Sequence, residues 1–389
     1  MDLGISLVLG VWSWVLSPPS PYTRMNPDAS HSAATAPAGL VDLAAERLGG
    51  KALLANDEFF AEKENLLKPG RGIFIPDKFT DRGKWMDGWE TRRRRTPGHD
   101  WCVIQLGLRG VIKHVDIDTN HFLGNHPPFA SMDALSWHGH LSRRSAAKAD
   151  LAHVSGAHPL EADATFPADL TAIEKLSWTP ILAQSPLTPG SQNLFEIDTD
   201  DAWTHVRLNI FPDGGVARLR VYGVVVPDWS RLKPDQPVDL VAIENGGIAL
   251  ACSDMFFSSM NNLIMPGRSE NMGDGWETKR RRGPGYDWII LQLGRPGSIQ
   301  KIEVDTNHFK GNYPDTCSID ACSAPGATTD ELTGNLISWK EILHKTKLQA
   351  DHRHFFEREL SPIENCTHIR LNIYPDGGVS RLRAWGVVA

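Results

Sequence analysis

The sequence predicts an all-β fold built from two tandem β-sandwich domains that are related by internal duplication. Two observations lead to this prediction. Three long motifs stand twice in the same order, which indicates a duplicated unit rather than one large domain. Within each copy, apolar residues alternate with polar residues at the period of two that is typical of half-buried strands, and long helical periodicity is absent.

The duplication is plainest in two motifs near the start of each copy. Residues 87–101 read DGWETRRRRTPGHDW and residues 274–288 read DGWETKRRRGPGYDW, an offset of 187 residues (274 minus 87). The same offset relates DTNHFLGN at the first copy's 118–125 to DTNHFKGN at 305–312. Both motifs therefore belong to one repeating unit.

A third motif shows that the first copy is the longer one. HVRLNIFPDGGVARLRVYGVV at 205–225 matches HIRLNIYPDGGVSRLRAWGVV at 368–388, at an offset of only 163 residues (368 minus 205). The surplus lies around 72–86 and between 135 and 176. In the second of these places, the Ser, Ala, His and Arg content predicts a surface insertion near 142–167.

The duplication also sets the domain boundaries. At 389 residues the chain exceeds the roughly 250 to 300 residues at which single cores stop growing. We place the first repeat at 41–226 and the second at 238–389, joined by a Pro/Asp/Lys-rich linker at 227–237. Residues 1–40 are predicted to be a disordered or targeting leader, because an apolar run at 3–16 precedes a Pro/Ser/Ala/Thr-rich stretch.

Composition restricts the classes of partner and compartment. The 41% apolar and 22% charged shares are those of a soluble globular protein, and no membrane partner is expected. A formal charge of -7 provides no basic field for a polyanion, so no nucleic-acid partner is expected either. The five cysteines form no CxxC pair, which favours reduced thiols in the cytoplasm, although the apolar run leaves secretion or targeting open.

The clearest strand pattern lies in the third motif. Residues 205–210 alternate between polar and apolar, a Pro-Asp-Gly-Gly turn follows at 212–215, and 218–222 alternates again. This pattern predicts a two-stranded β-hairpin with one buried and one polar face, in which the two glycines serve the turn and Asp213 caps it.

Other elements are shorter. Residues 103–106 and 111–117 are predicted to be two strands broken by the glycines within 107–110. Residues 171–176 show a brief helical periodicity. Neither feature changes the prediction of an antiparallel sandwich in each repeat.

Taken together, the duplicated motifs resemble the allantoicase family. DGWETRRRR, DTNHFLGN and PDGGVARLRVYG all stand twice, and the resemblance covers nearly all of 41–389. It implies two jelly-roll, galactose-binding-like sandwiches, assembly into a homo-oligomer, and hydrolysis of allantoate to (S)-ureidoglycolate and urea in allantoin degradation. The alternatives are a non-catalytic galactose-binding-like module and an inactive family member. Intact second copies of every motif disfavour both.

The implied reaction defines what the site must supply. Allantoate carries one carboxylate and two ureido groups on a single carbon, and the release of intact urea breaks the C–N bond at that carbon. The protein must hold the carboxylate, protonate the departing nitrogen and deliver water. An arginine fork, an acid–base group and amide hydrogen bonds to the ureide would be sufficient.

A run of four arginines follows Glu90, and extended backbone would direct alternate side chains to opposite faces. These arginines form either a solvated strand with cross-strand ion pairs or a clamp for the carboxylate. Lys279 replaces Arg92 in the second repeat. The predicted clamp therefore consists of the next two arginines of each run: Arg93, Arg94, Arg280 and Arg281.

The DTNHF motif is predicted to be a loop, because Asn and Gly punctuate it after an apolar strand. For Asp118 we favour a structural role in bonding its own loop backbone. His121 and His308 can exchange protons near neutral pH and, with Glu90 and Glu277, are the predicted catalytic residues. The predicted amide contacts to the ureide are the asparagines of the two loops: Asn120, Asn125, Asn307 and Asn312.

Two further arginines complete the predicted site. Arg218 and its equivalent Arg381 lie on the polar face of the third motif and are predicted to contact the substrate. Because neither repeat lacks a part that the other has, we expect both DTNHF loops to contribute to catalysis.

No cofactor is predicted. A divalent metal is the alternative, held by His121 with Asp118 or by His205 with Asp213. No HxH or HExxH spacing supports such a site.

Overall fold

The computed structural model describes four ranges: residues 39–137, 166–167, 169–233 and 235–389. Nearly all of the predicted leader at 1–40, and of the predicted insertion at 142–167, lies outside them. Within the described ranges, no helix is long and apolar enough to cross a membrane.

The described residues form strands with only short helices, and corresponding strands follow in the same order in the two repeats. In the first repeat they are β1 (Val41–Asp42), β2 (Lys51–Ala55), β3 (Phe79–Thr80), β4 (Gly83–Lys84), β5 (Trp89–Glu90), β6 (Asp100–Asp118), β7 (Phe129–Leu135), β8 (Thr179–Pro186), β9 (Gln192–Glu196), β10 (Ala202–Phe211), β11 (Gly215–Val216) and β12 (Arg218–Val225). In the second repeat they are β13 (Val238–Asp239), β14 (Ile248–Cys252), β15 (Trp276–Glu277), β16 (Asp287–Asp305), β17 (Thr316–Cys322), β18 (Lys340–Lys347), β19 (Arg353–Phe356), β20 (Cys366–Tyr374), β21 (Gly378–Val379) and β22 (Arg381–Val388).

Each repeat has one single-turn α-helix within the described ranges. α1 (Leu170–Glu174) precedes β8 and agrees with the predicted helical stretch, and α2 (Thr329–Thr333) precedes β18. Short 3-10 helices lie at Glu46–Leu48, Lys63–Leu67, Trp229–Arg231, Ile243–Asn245, Met260–Ile264 and Met272–Asp274. The prediction of an all-β fold of two tandem sandwiches is confirmed.

The long strand β6 joins the two layers of the first sandwich. Its first part pairs with β2 and β10, and the sheet continues from β10 to β7 and β8. Its second part pairs with β9 and β12, and β12 pairs with β1. In the second repeat β16 has the same central place among β14, β19, β20 and β22. One continuous hydrophobic core includes buried residues of both repeats.

The prediction that glycines break this region into two strands is wrong. β6 runs without a break through Gly107 and Gly110. A Cβ added at Gly107 would stand 2.5 Å from the Leu48 carbonyl oxygen, and one at Gly110 would stand 2.5 Å from the Val224 oxygen. Here glycine permits neighbouring backbones to approach a continuous strand, which a local reading of turn residues does not reveal.

The predicted hairpin is also wrong. Strands β10 and β12 do not pair with each other, because both lie against β6, with Val206 opposite Ile104 and Val221 opposite Val115. The alternation nevertheless identified residues that are fully buried, such as Val206 and Val221. The pattern fixes which residues share a face and leaves the pairing partner open.

The Pro-Asp-Gly-Gly segment leads into the small strand β11, which pairs with β5. Gly214 has a φ of 142°, in the region that favours glycine. Asp213 accepts a hydrogen bond from the backbone N–H of Arg94 at 2.8 Å, so it ties the turn to the arginine run. Gly215 does more than serve the turn, because an added Cβ would lie 2.0 Å from the ring of Phe122.

Gly215→Ala should therefore destabilise the first repeat by about 1–3 kcal/mol, the usual cost of overpacking a filled site. Phe122 would be displaced, and the DTNHF loop that carries it would shift. Urea denaturation gives the free energy of unfolding. Gly124→Ala is the control, since nothing lies within 4 Å of a Cβ added there. Equal midpoints for the two variants would contradict the proposed contact.

Candidate active site

A cavity of about 340 Å³ opens in the first repeat beside β5 and the loop that follows β6. Three of the predicted site residues, Glu90, His121 and Asn125, meet there. The complete lining is Phe60, Lys84, Met86, Glu90, His121, Leu123, Gly124 and Asn125.

Glu90 is held by backbone pairing on both sides. It lies opposite Gly215 in the β5–β11 pair, and its N–H donates to the Ala61 oxygen at 3.1 Å. Its Oε1 accepts a hydrogen bond from Nδ2 of Asn125 at 2.7 Å. Burial raises the pKa of the Glu90 carboxyl group, and the Asn125 hydrogen bond offsets part of this rise. Such a group keeps its proton closer to neutral pH, as a general acid must.

The DTNHF motif forms a loop, as predicted. Oδ1 of Asp118 accepts the Asn120 backbone N–H at 2.9 Å, which is the local bond expected of a structural aspartate. Both Asp118 oxygens also accept hydrogen bonds from Arg71, each at 2.9 Å. Phe122 is fully buried against Gly215 and anchors the middle of the loop. The loop is therefore fixed on both sides of His121.

His121 adopts a left-handed backbone conformation, with a φ of 67°. This conformation costs a non-glycine residue roughly 1–3 kcal/mol and is concentrated at functional sites. Its Nε2 lies 3.1 Å from the Gly72 oxygen, and its ring stacks on Phe74 with centroids 5.5 Å apart. Because a carbonyl only accepts, Nε2 carries a hydrogen, and Nδ1 is the basic nitrogen of the neutral ring.

The second repeat reproduces this arrangement. His308 has a φ of 69°, and its Nε2 lies 2.9 Å from the Ser269 oxygen. Nδ2 of Asn312 donates to Oε1 of Glu277. Both repeats therefore retain the same group of glutamate, histidine and asparagine, which we call the Glu-His-Asn set.

The other two predicted asparagines bond to backbone instead. Nδ2 of Asn120 donates to the Gly72 oxygen at 2.8 Å, and Nδ2 of Asn307 donates to the Ser269 oxygen at 3.4 Å. Asn120 is not among the residues that line the cavity. Asn120 thus holds the segment that follows Arg71, and Asn307 holds the segment that follows Arg268.

The predicted clamp arginines divide into two kinds. Arg94 donates to the buried Asp100 at 2.6 Å, and Arg281 donates to the buried Asp287. Arg93 and its equivalent Arg280 are exposed and make no hydrogen bond or ion pair within the described ranges. None of the first-repeat clamp residues lines the cavity.

Arg218 and Arg381 are buried and engaged within their own repeats. Nη2 of Arg218 lies 2.7 Å from Oδ2 of Asp87, and Nη2 of Arg381 lies 2.8 Å from Oδ2 of Asp274. Their guanidinium groups also donate to backbone oxygens of Asp87 and Asp274. Both arginines thus contact the aspartate that opens the DGWET motif, and Arg218 does not line the cavity.

Sequence reasoning missed Lys84, Phe60, Met86 and Leu123 as lining residues. Lys84 and Met86 belong to 72–86, where the first repeat is longer than the second. The available signal was this difference in length directly beside a duplicated motif. A search for repeated motifs finds the residues that both repeats share and overlooks a segment, such as 72–86, that is long in only one of them.

The two residue pairs that were considered as metal ligands are engaged elsewhere. Asp118 is paired with Arg71, and Nδ1 of His205 lies 2.8 Å from Oγ1 of Thr204. Asp213 accepts the Arg94 N–H. Among the residues that the structure describes, no three His, Cys, Asp or Glu side chains are grouped to hold a metal ion.

Comparison with known proteins gives one consistent result. A family model described as Allantoicase repeat matches residues 41–226 and 238–389. "Probable allantoicase 1" of Burkholderia mallei is 48% identical over 90% of this chain and 94% of its own length. "Probable allantoicase" of Pseudomonas aeruginosa is 49% identical over 89% of this chain and 95% of its own length. The crystal structure of allantoicase from Saccharomyces cerevisiae matches with a TM-score of 0.70 and 35% identity, covering 90% and 93% of the two chains.

Proposed function

The chain belongs to the allantoicase family, and from this membership we propose that it hydrolyses allantoate to (S)-ureidoglycolate and urea. The observation that carries the proposal is the match to proteins named allantoicase over 90% of this chain and 93–94% of theirs. The convergence of Glu90, His121 and Asn125 on one cavity supports it, because these side chains offer an acid, a base and an amide at one place.

The proposed roles follow from the protons. Glu90 donates its proton to the urea nitrogen as the C–N bond breaks, since burial favours its protonated form. Nδ1 of His121 accepts a proton from the water whose oxygen bonds to the central carbon. Asn125 bonds a ureido arm. The products are neutral urea and the new hydroxyl of ureidoglycolate, and proton exchange with solvent restores Glu90 and His121.

The equivalent set in the second repeat would carry the same groups: Glu277, His308 and Asn312. The buried arginines, Arg218 and Arg381, are proposed to support the site by positioning the DGWET motif. Arg93 and Arg280 are free to meet an anion that approaches from solvent, whereas Arg94 and Arg281 would first have to leave a buried aspartate.

We propose that these side chains act without a divalent metal. The support is that Asp118 is neutralised by the bidentate Arg71 contact and that Nε2 of His121 is bonded to a backbone oxygen. Each candidate ligand would have to exchange an existing partner for the metal.

Purified protein should release urea and ureidoglycolate from allantoate in equal amounts, with the same rate after dialysis against a chelator. Allantoin should not be turned over, because its closed ring lacks the free carboxylate. Colorimetric assays of both products test this. Absence of urea would reject the function, equal rates on allantoin would reject carboxylate recognition, and metal-restored activity after chelation would reject the metal-free site.

We also propose that the protein is a cytoplasmic homo-oligomer. Large apolar side chains stand exposed in both repeats, among them Ile73, Phe79, Phe256 and Phe257, and a second copy would shield them. The five cysteines are free thiols, which suits a reducing compartment. Sedimentation velocity would give the assembly size, and a monomer at all concentrations would contradict the proposal.

A further inference from the structure

The two repeats differ directly beside the Glu-His-Asn set. The offset between them is 197 residues at Arg71 and Arg268 and falls to 187 at the DGWET motif. Residues 72–86 of the first repeat therefore correspond to only 269–273 of the second, a difference of ten residues. We call the longer segment the 72–86 loop.

The 72–86 loop is fixed at its base and folded on itself. The Ile73 N–H donates to Oδ2 of Asp87 at 3.0 Å, and the same oxygen is bonded to Arg218, so one ion pair joins both ends of the loop. Within the loop, β3 pairs with β4, with Phe79 opposite Lys84. Phe74 stacks on the ring of His121. The loop thus forms a wall of the first-repeat cavity.

Lys84 brings a positive charge to this wall. It lines the cavity together with Glu90 and His121. Its Nζ lies 4.7 Å from the centre of the Phe74 ring and donates one hydrogen bond to the Pro76 oxygen. An ammonium group has three donors, so two remain for an anion in the cavity. The Phe74 ring faces this ammonium group and favours its position at the wall of the cavity.

In the second repeat the corresponding segment is short and carries no cation, and Lys310, which stands where the first repeat has Leu123, lies 4.0 Å from Oδ2 of Asp351. The five residues of the segment, 269–273, contain Glu270 and no lysine or arginine. Sδ of Met272 instead lies 3.8 Å from Nδ2 of Asn312, so a thioether stands beside the Glu-His-Asn set. An anionic substrate would find the acid, the base and the amide there, but no cation from this segment to hold its carboxylate.

We propose that the first-repeat cavity alone is the catalytic centre and that Lys84 binds the substrate carboxylate. This inference rests on the proposed function, because it assigns a residue to the carboxylate of allantoate. Lys84 supplies the charge that the predicted arginine clamp was expected to supply, while Arg94 and Arg218 neutralise buried aspartates. The second-repeat set is retained as part of the fold.

Lys84→Met should raise KM for allantoate about 10- to 100-fold, the range for losing a charged hydrogen bond, and change kcat less than about threefold. Lys84→Arg should recover part of the affinity. Lys78→Met is the matched control, because Nζ of Lys78 lies 3.8 Å from the Trp85 ring in the same loop and Lys78 does not line the cavity. Its kinetics should match those of the unmodified protein.

A second comparison tests the assignment to one repeat. His121→Ala should abolish most turnover, with circular dichroism confirming that the variant folds, and calorimetry of the unmodified protein with ureidoacetate should give one binding site per chain. Two binding sites per chain, or an unchanged KM in Lys84→Met, would overturn the inference.

Binding of ureidoacetate, which has the carboxylate and one ureido arm, separates this inference from the proposed function. Calorimetry should show binding that weakens at least tenfold in Lys84→Met and is unchanged in Lys78→Met. Lack of turnover in the unmodified protein would reject the function, whereas binding that does not depend on Lys84 would reject the carboxylate assignment whether or not allantoate is hydrolysed.

Discussion

Glu90→Gln is expected to lower kcat for allantoate by about 100-fold or more, because glutamine cannot release a proton to the departing urea nitrogen. The substitution preserves shape, and the amide oxygen can still accept the hydrogen bond from Asn125. Burial disfavours the charged carboxylate, so the variant is expected to be at least as stable as the parent at neutral pH. Steady-state kinetics and thermal melting measure the two effects.

The pH dependence of activity is a second test of Glu90 as the proton donor. Burial raises the pKa of Glu90, so the protonated fraction falls, and activity with it, as pH rises through that raised value. At pH values well below this pKa, the Glu90 carboxyl group is fully protonated. In Glu90→Gln this alkaline limb should disappear from what activity remains. A variant with normal kcat, or one with the limb intact, would show that another group donates the proton.

Arg218→Met is expected to destabilise the protein by about 3–5 kcal/mol, because it leaves the carboxylate of Asp87 buried without its counterion. Burial raises the pKa of Asp87, but the hydrogen bonds from Arg218 and Ile73 outweigh it and hold the pKa below its ordinary value. The pair therefore stabilises the fold above the ordinary aspartate pKa, and this contribution is lost as pH falls. Urea denaturation at neutral and acidic pH measures both.

Arg381→Met is the matched control in the second repeat. The side chain of Asp274 is 22% exposed against 8% for Asp87, and Arg47 lies 3.6 Å from it, so water and a second cation compensate the loss. Arg381→Met should therefore lower the free energy of unfolding clearly less than Arg218→Met does. Adding Asp87→Asn to Arg218→Met should restore part of the stability. Equal costs for the two arginine variants would mean that burial of the carboxylate is not the cause.

The strand pattern shows how far the sequence can predict the fold. Alternation in β10 and β12 correctly separated the apolar face from the polar face, because the direction of a side chain depends on the local backbone alone. It did not reveal that His205, Asn209 and Arg218 on the polar face are buried too. It could not identify β6 as the shared partner, since pairing depends on which strands meet in the whole sheet. The glycines of β6 misled for the same reason: their purpose is the approach of Leu48 and Val224, which are distant in sequence.

The candidate site was predictable to a different degree for each residue type. Glu90, His121 and Asn125 were selected because their motifs combine chemistry with loop positions, and they meet at one cavity. The arginines were harder. An arginine that binds a ligand and one that neutralises a buried carboxylate look alike in sequence, and the partner of Arg218 lies 131 residues away. Lys84 lies outside every duplicated motif.

The length of β6 has a consequence for synthesis on the ribosome. Asp118 ends the strand, but β12, which completes its layer, ends at Val225, 107 residues later (225 minus 118). At about 5–20 residues per second, the nascent strand waits roughly 5 to 20 s with hydrogen-bonding edges unsatisfied. Such edges recruit strands from other chains. Newly made protein should therefore need chaperone protection during this interval, before the first sandwich can close.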